Sequence, residues 1–179
     1  MDLPPEAAHH ALRVLRLDDG EPVLLFDGEG GQWQARLLKA GKGMRAALES
    51  FAAEDNVPEL QVTLVQGLPA ADKMDWVVQK CAELGVAAIQ PVAAKRSVVR
   101  LAGERRSRRE AHWRQVAVAA CEQCGRNRLP EVAPVLDLPQ YLAQAARENE
   151  QRFLLLPGGE GRLRERPSPA GPITVMVGP

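Results

Sequence analysis

The sequence predicts an α/β protein, a parallel sheet wrapped by helices, preceded by a small β-rich module. Three observations carry this prediction. From Leu60 onward, apolar runs of strand length alternate with stretches of helical spacing, the pattern of βαβ units. Before Asn56 the apolar period is two and the turns are rich in glycine, which reads as hairpins. Between them, Asn56-Val57-Pro58-Glu59 breaks both patterns, so domains are expected over residues 1–57 and 58–179.

The elements follow in order. Ala7 to Leu17 is expected as a short helix, entered through Pro4-Pro5 and stopped by Asp18-Asp19-Gly20. Val23 to Phe26 reads as a strand, Asp27 to Gly31 as a turn, and Trp33, Ala35 and Leu37 alternate along a second strand. After Gly41-Lys42-Gly43, a third strand is expected over Arg45 to Phe51. Leu60 to Gln66 is an apolar-rich strand leading into Gly67-Leu68-Pro69. Asp72 can cap a helix whose stripe is Met74, Val77, Val78, Cys81 and Leu84, and Gly85 stops it. Val86 to Val92 is the next strand. A long helix is expected from Glu104 to Cys124, with Trp113, Val116, Ala117, Ala120, Cys121 and Cys124 on one face. Leu138 to Asn149 is predicted helical, Arg152 to Leu156 and Ile173 to Val177 are predicted strands, and Gly158 to Pro172 is a Gly/Pro/Arg-rich loop.

Composition narrows the function classes. With 179 residues, 45% apolar and 26% charged, the chain can bury a real core and is not a disordered polymer. No apolar run approaches the ~18–20 residues of a membrane span, and Met1 to Pro5 lacks the order of a secretory signal. Three cysteines make no disulfide framework, so a cytoplasmic location is expected. The net charge of zero hides an asymmetry. Residues 1–60 carry 6 basic and 11 acidic side chains, whereas residues 61–130 carry 12 and 6. The basic excess is densest from Lys95 to Arg114, and 18 of the 23 cations are arginine, whose planar fork grips phosphate. Such a strip points to a local polyanion site, with a solvated helix face as the plainer alternative.

Several segments could carry chemistry. Cys121-x-x-Cys124 has metal or redox spacing, but a zinc site needs a second pair, and only Cys81, His112 and His9-His10 remain. Both thiols also lie on the apolar stripe, so core cysteines and no metal are expected. His9-His10 stands beside Arg13 and Arg16, where an RNA contact and an ordinary polar helix face are both open readings. Asp72 and Asp75 share a helix start, where negative charge is favoured in any case. Phosphate-cradling and dinucleotide glycine motifs are absent. Glu122-Gln123-Cys124-Gly125-Arg126-Asn127-Arg128-Leu129-Pro130 ends a helix in a polar, cationic turn, suited to phosphates or simply to a solvated cap. Finally, Leu154 to Gly158 and Val175 to Pro179 each leave an apolar strand through a Pro/Gly turn, where ligands of open α/β folds bind.

Taken in order, one set of pieces is specific: His9-His10-Ala11-Leu12-Arg13-Val14-Leu15-Arg16-Leu17; Phe26-Asp27-Gly28; Asp72-Lys73-Met74-Asp75-Trp76; Gln79-Lys80 with Glu83-Leu84-Gly85; Arg96-Ser97-Val98; Glu122-Gln123 with Gly125-Arg126-Asn127-Arg128 and Pro130; and Val177-Gly178-Pro179. The set resembles the RsmE family of small-subunit ribosomal RNA uracil-N3 methyltransferases, within the knotted SPOUT superfamily, over nearly the whole chain. The resemblance implies an N-terminal PUA-like β-barrel, a SPOUT-type α/β domain with a trefoil knot, and a homodimer. It implies S-adenosylmethionine as methyl donor and N3-methyluridine in the 16S rRNA of the small ribosomal subunit as product. By matching position, Leu156, Pro157 and Gly158 are expected to form the first cofactor loop, and Gly178 and Pro179 the start of the second.

Arg126 is expected as the catalytic cation, stabilising the uracil anion as its N3 proton leaves, with Asn127 and Arg128 beside it on the RNA. His10, Arg13, Arg16, Lys73, Lys95, Arg96 and Arg100 are the remaining expected RNA contacts. In the family, Gly178-Pro179 continues as Gly-Pro-Glu-Gly-Gly into a helix and a third loop. The resemblance therefore predicts a chain truncated before the knot is completed and lacking its first strand. A non-catalytic RNA-binding module without a working cofactor site is the alternative from another class.

Overall fold

The structure, a computed structural model, describes residues 1–41, 43–70, 73–95, 101–144, 146–159, 161–166 and 168–178. It falls into two compact units, Met1–Asn56 and Val57–Pro179. The Asp72 cap expected from the sequence, and Arg96, Arg100 and Pro179 among the expected site residues, lie outside the described residues.

In the first unit, Pro4 leads into α1 (Pro5–His9), which widens into a π-helical turn over His10–Val14. That turn closes with Leu15 N–H donating to His10 O at 3.0 Å and leaves Arg16 at φ +55°. Strands β1 (Pro22–Leu25), β2 (Gln32–Ala40) and β3 (Gly43–Ala52) form an antiparallel sheet in that order, with a register shift at Gln34/Ala35. The period-two pattern works as expected, since Ala35 and Leu37 are each 1% exposed and Leu37 packs with Ala8 and Ala11. Ala8, Ala11, Leu37 and Met44 make the core of this unit. Asp2 bridges to Arg45, and the terminal ammonium donates to Ala46 O at 2.8 Å, so the chain start lies along β3.

The second unit is the expected parallel α/β domain. Its strands are β4 (Val62–Gly67), β5 (Ala88–Ala93), β6 (Glu131–Val132), β7 (Leu136–Asp137), β8 (Gln151–Leu155) and β9 (Ile173–Val177). The order is β6-β5-β4-β9-β8, with β7 also on β5, and every pairing is parallel. Helices α2 (Lys73–Glu83) and α3 (Gly103–Cys124) cover one face, where Met74, Val78, Cys81, Trp113 and Ala117 pack on Ile89 and Val132. The short α4 (Leu138–Leu142) covers the other, with Tyr141 against Val65 and Val92. Burying each such aliphatic side chain contributes ~1.5–3 kcal/mol.

Three expectations need correction. Leu84 shares the spacing of the α2 stripe but is 77% exposed, because α2 has ended and the chain reverses at Gly85. Gly85 has φ +81°, and a Cβ there would lie 2.5 Å from Pro58 Cδ, so the reversal requires glycine. Cys124 is exposed rather than in the core; only Cys121 faces inward. The helix expected over 138–149 stops at Leu142, and Arg147 N–H instead donates to the Glu150 carboxylate at 3.0 Å. The two-residue strands β6 and β7 are absent from the sequence reading; parallel backbone bonds such as Glu131 N–H to Ala87 O at 3.0 Å create them.

Candidate functional site

In β4, Gln66 is an amide within an apolar strand, and it is 7% exposed. Its Nε2 donates to Gly67 O at 2.8 Å and to Gly178 O at 3.1 Å. The carboxamide thus ties together the carboxyl ends of β4 and β9, through groups 112 positions apart in the chain. The chain order reverses here: β5 and β6 build outward on one side of β4, β9 and β8 on the other. Crevices at such switch points are where open parallel sheets hold ligands.

The expected cofactor loops leave from the same edge. Leu156-Pro157-Gly158 follows β8 directly, and Gly178 follows β9. Gly158 has φ +75°, and Gly159 N–H closes the turn onto Leu156 O at 3.1 Å. A Cβ on Gly158 or Gly178 would meet nothing within 4 Å. The backbone there is approachable, while Leu154, Leu155 and Leu156 offer exposed apolar surface. Lys73, at the first turn of α2, and Lys95, just past β5, are both exposed at this carboxyl edge.

Arg126 is elsewhere. It follows the C-terminus of α3 and precedes β6, whose Glu131 pairs with Ala88 at the start of β5. That is the amino edge of the sheet, the length of a strand, about 15–20 Å, from the loops after β8 and β9. The residue is 5% exposed; its side-chain Nη1 donates to Ala82 O at 3.2 Å, and its backbone N–H donates to Cys121 O at 3.0 Å. The guanidinium therefore sits against the carbonyl end of α2, whose dipole favours a cation, while the backbone of the same residue closes the end of α3. Its Nε is buried without a partner, and burial lowers its pKa from the ordinary arginine value. Within one chain, then, Arg126 lies at the opposite edge of the sheet from the loops after β8 and β9. Asn127 beside it is fully buried, and Arg128 is exposed.

The basic strip is partly occupied by its own acids: Arg106 pairs with Glu110 at 3.1 Å and Arg108 with Glu104 at 2.5 Å. Glu110 also accepts from Val135 N–H at 2.8 Å. In the first unit, His10, Arg13 and Arg16 are all exposed. Two groups escape the sequence reading. Gln66 is one, and its signal was an amide inside an apolar strand. The other is Asp75, whose carboxylate accepts from Trp113 Nε1 at 3.1 Å and hydrogen-bonds His112 Nε2 at 2.7 Å, pinning α2 to α3. Burial pushes the Cys81 and Cys121 thiols up to about 11, and no cluster of His, Cys, Asp or Glu among the described residues could hold a metal ion. Nor is any described helix long and apolar enough to cross a membrane.

A parallel sheet with open glycine turns beyond its switch point, together with a separate β-rich unit, defines a two-unit protein with an open α/β domain. Residues 56–179 match the family described as RNA methyltransferase domain, and residues 3–43 match the RNA methyltransferase PUA domain. The ribosomal RNA small subunit methyltransferases E of Bacillus subtilis and Synechocystis are 31% and 33% identical over 138 residues each. Those alignments cover 76% and 77% of this chain but 54% and 44% of the relatives, so the chain spans about half their length. The crystal structure of ribosomal RNA small subunit methyltransferase E from Neisseria gonorrhoeae bound to S-adenosyl methionine is 38% identical, with a TM-score of 0.92 over 100% of this chain and 74% of that one. The chain belongs to this RNA methyltransferase family, the RsmE family, with an N-terminal PUA-like unit.

Proposed function

We propose that this chain is the methyl-transferring part of an enzyme that moves a methyl group from S-adenosylmethionine to N3 of a uridine in 16S rRNA of the small ribosomal subunit. The observation that carries the proposal is the pair of open glycine loops after β8 and β9, the second of them tied to β4 by the Gln66 carboxamide. The residues suit the cofactor, because a flat, polar adenosine is best held by bare backbone over an apolar bed, and Leu156-Pro157-Gly158 and Gly178 provide both. When bound, the cofactor supplies an electrophilic methyl on sulfonium. The protein's own contribution is largely positioning, since well-oriented reactants gain effective molarities of ~10⁵–10⁸ M.

Uracil N3 must lose its proton as it attacks, and a nearby cation stabilises the developing charge. We assign that electrostatic role to the exposed carboxyl-edge lysines Lys73 and Lys95, which also suit phosphate. Arg126 acts instead as a positioning residue, holding the ends of α2 and α3 and thus the polar turn of Asn127 and Arg128. The knot and homodimer implied by the resemblance belong to the same proposal. Arg126 of one copy reaches another's carboxyl edge only in such an assembly.

Calorimetric titration of S-adenosylhomocysteine tests the cofactor site, with about one site per chain expected. Incubation with unmethylated small subunits and labelled methyl donor, followed by nucleoside mapping, tests the reaction. Absence of cofactor binding together with intact RNA binding would replace the proposal with a non-catalytic RNA-binding module.

A further inference from the structure

The second unit holds a small polar cavity of about 120 Å³ on the α4 face of its sheet. Its floor is a single row of the sheet: Arg152, Thr174, Thr63, Ala88 and Glu131 are register partners across β8, β9, β4, β5 and β6. Val65, which shares the face of Thr63, packs on Tyr141 of α4 and so fixes which face this is. The central positions Thr174, Thr63 and Ala88 carry short side chains, leaving a space that Tyr141, Gln144, Arg147 and Glu150 border. Its 120 Å³ replaces only a few waters of ~30 Å³ each and falls below the ~300 Å³ where sites for drug-sized molecules begin. The charges narrow the occupant further. The Glu150 side chain is 3% exposed and accepts from Arg152 Nε at 2.7 Å, from Arg147 N–H at 3.0 Å and from Thr174 Oγ1. That acid is therefore matched by its own donors. The exposed guanidinium of Arg147 forms no ion pair among the described residues. Thr63 is 6% exposed, and its hydroxyl is buried without a hydrogen-bond partner, a condition native interiors rarely leave. Glu131 is exposed and ends the row two strands from Thr63, ~10 Å away.

We infer that this cavity binds a compact oxyanion of the phosphate class, gripped by the Arg147 fork and hydrogen-bonded by the Thr63 hydroxyl. Planar guanidinium matches phosphate oxygens in pairs, and a hydroxyl that rotates about χ1 supplies the remaining donor. Water alone satisfies Thr63 but leaves the guanidinium without a counter-charge, and an ammonium ion is repelled by it. The volume admits a phosphate group and leaves any attached nucleoside outside, so the source is free inorganic phosphate or the terminal phosphate of an RNA. The site stands at the amino end of β4, whereas Gln66 and the loops proposed for the cofactor stand at its carboxyl end. The inference thus does not depend on the methyl-transfer reading.

Calorimetric titration of the full chain with sodium phosphate, at an ionic strength held constant with chloride, tests the site, and saturable binding at one site per chain is expected. Thr63→Val keeps the shape and removes the hydroxyl. It should melt no lower than wild type in chloride, because an orphaned group goes with it, yet bind phosphate about tenfold more weakly. Arg147→Gln, on the surface, should also lose about tenfold, while Glu131→Gln removes a like charge and should tighten binding. Competition by a 5′-phosphorylated oligouridine, but not by its unphosphorylated form, identifies an RNA end as the source; competition by neither identifies the free ion, and either upholds the site. Absence of saturable phosphate binding, or unchanged affinity in Thr63→Val or Arg147→Gln, overturns the inference and leaves the cavity to water. Weaker binding in Glu131→Gln overturns it in favour of a zwitterion. Phosphate binding by a chain that takes no S-adenosylhomocysteine upholds the cavity while the methyltransferase proposal falls.

Discussion

Replacing Arg126 separates a positioning role from a chemical one. Its guanidinium is 5% exposed and contributes one charge-assisted hydrogen bond, to Ala82 O at 3.2 Å. Losing such a bond costs ~1.5–3 kcal/mol, and a truncation to alanine adds a cavity beneath the ends of α2 and α3. Against this, the substitution removes a buried, unpartnered Nε, whose desolvation costs ~1–3 kcal/mol. The two partly offset, and Arg126→Ala is expected to destabilise the second unit by about 2 kcal/mol, a fall of ~4–8 °C in its melting temperature. Arg126→Met keeps the aliphatic stem and removes both the charge and the orphan donor, so it should cost less than ~1 kcal/mol. Thermal unfolding followed by circular dichroism measures both. Methyl transfer to small subunits, at a temperature where each variant is folded, provides the second readout. If Arg126→Met melts like wild type yet transfers methyl orders of magnitude more slowly, the guanidinium takes part in the chemistry and its assignment here as a positioning residue is wrong.

Further outcomes follow from other contacts. Gln66→Leu frees the Gly178 carbonyl, and S-adenosylhomocysteine affinity should drop about tenfold in calorimetry while the secondary structure persists. Burial pushes the Glu150 carboxyl up, but hydrogen bonds from Thr174 Oγ1, Arg152 Nε and Arg147 N–H outweigh it and leave the pKa below the ordinary 4.5. A carboxyl depressed in the folded state stabilises above its unfolded pKa, and that contribution is lost as pH falls through the folded value. Glu150→Gln should therefore unfold at lower denaturant than wild type at pH 7, with the gap closing in acid. Cys81 and Cys121, both raised to about 11 by burial, should resist iodoacetamide at pH 8, while exposed Cys124 reacts. Mass spectrometry should find one adduct per native chain and three after denaturation.

What the sequence made legible was local. The alternation of Ala35 and Leu37, the stripe of Met74, Val78 and Cys81, and the apolar run of β9 each carry their own period, and each formed the element expected. Strands β6 and β7 are too short to show a period and exist because β5 offers unpaired backbone. The Pro/Gly exits of β8 and β9 were readable as open turns at the ends of their strands. The place of Arg126 was not, because a cationic turn after a helix looks the same in sequence whether it points to solvent or lies under two helix ends. The Asp75 clamp was hidden for the same reason: its partners His112 and Trp113 come from a helix that only packing brings near.

The position of β4 in the middle of its sheet has a consequence for how the chain matures. β5 arrives at β4 after a single helix, but β9, its neighbour on the other side, is made more than a hundred residues later. During synthesis, one flank of β4 must stay unzipped until Ile173–Val177 leaves the exit tunnel, while the hairpins of the first unit, whose pairings are all short-range, can close early. Completion of the sheet around β4 is therefore a late event in folding, and β4 shows an open edge while the residues between it and β9 are made.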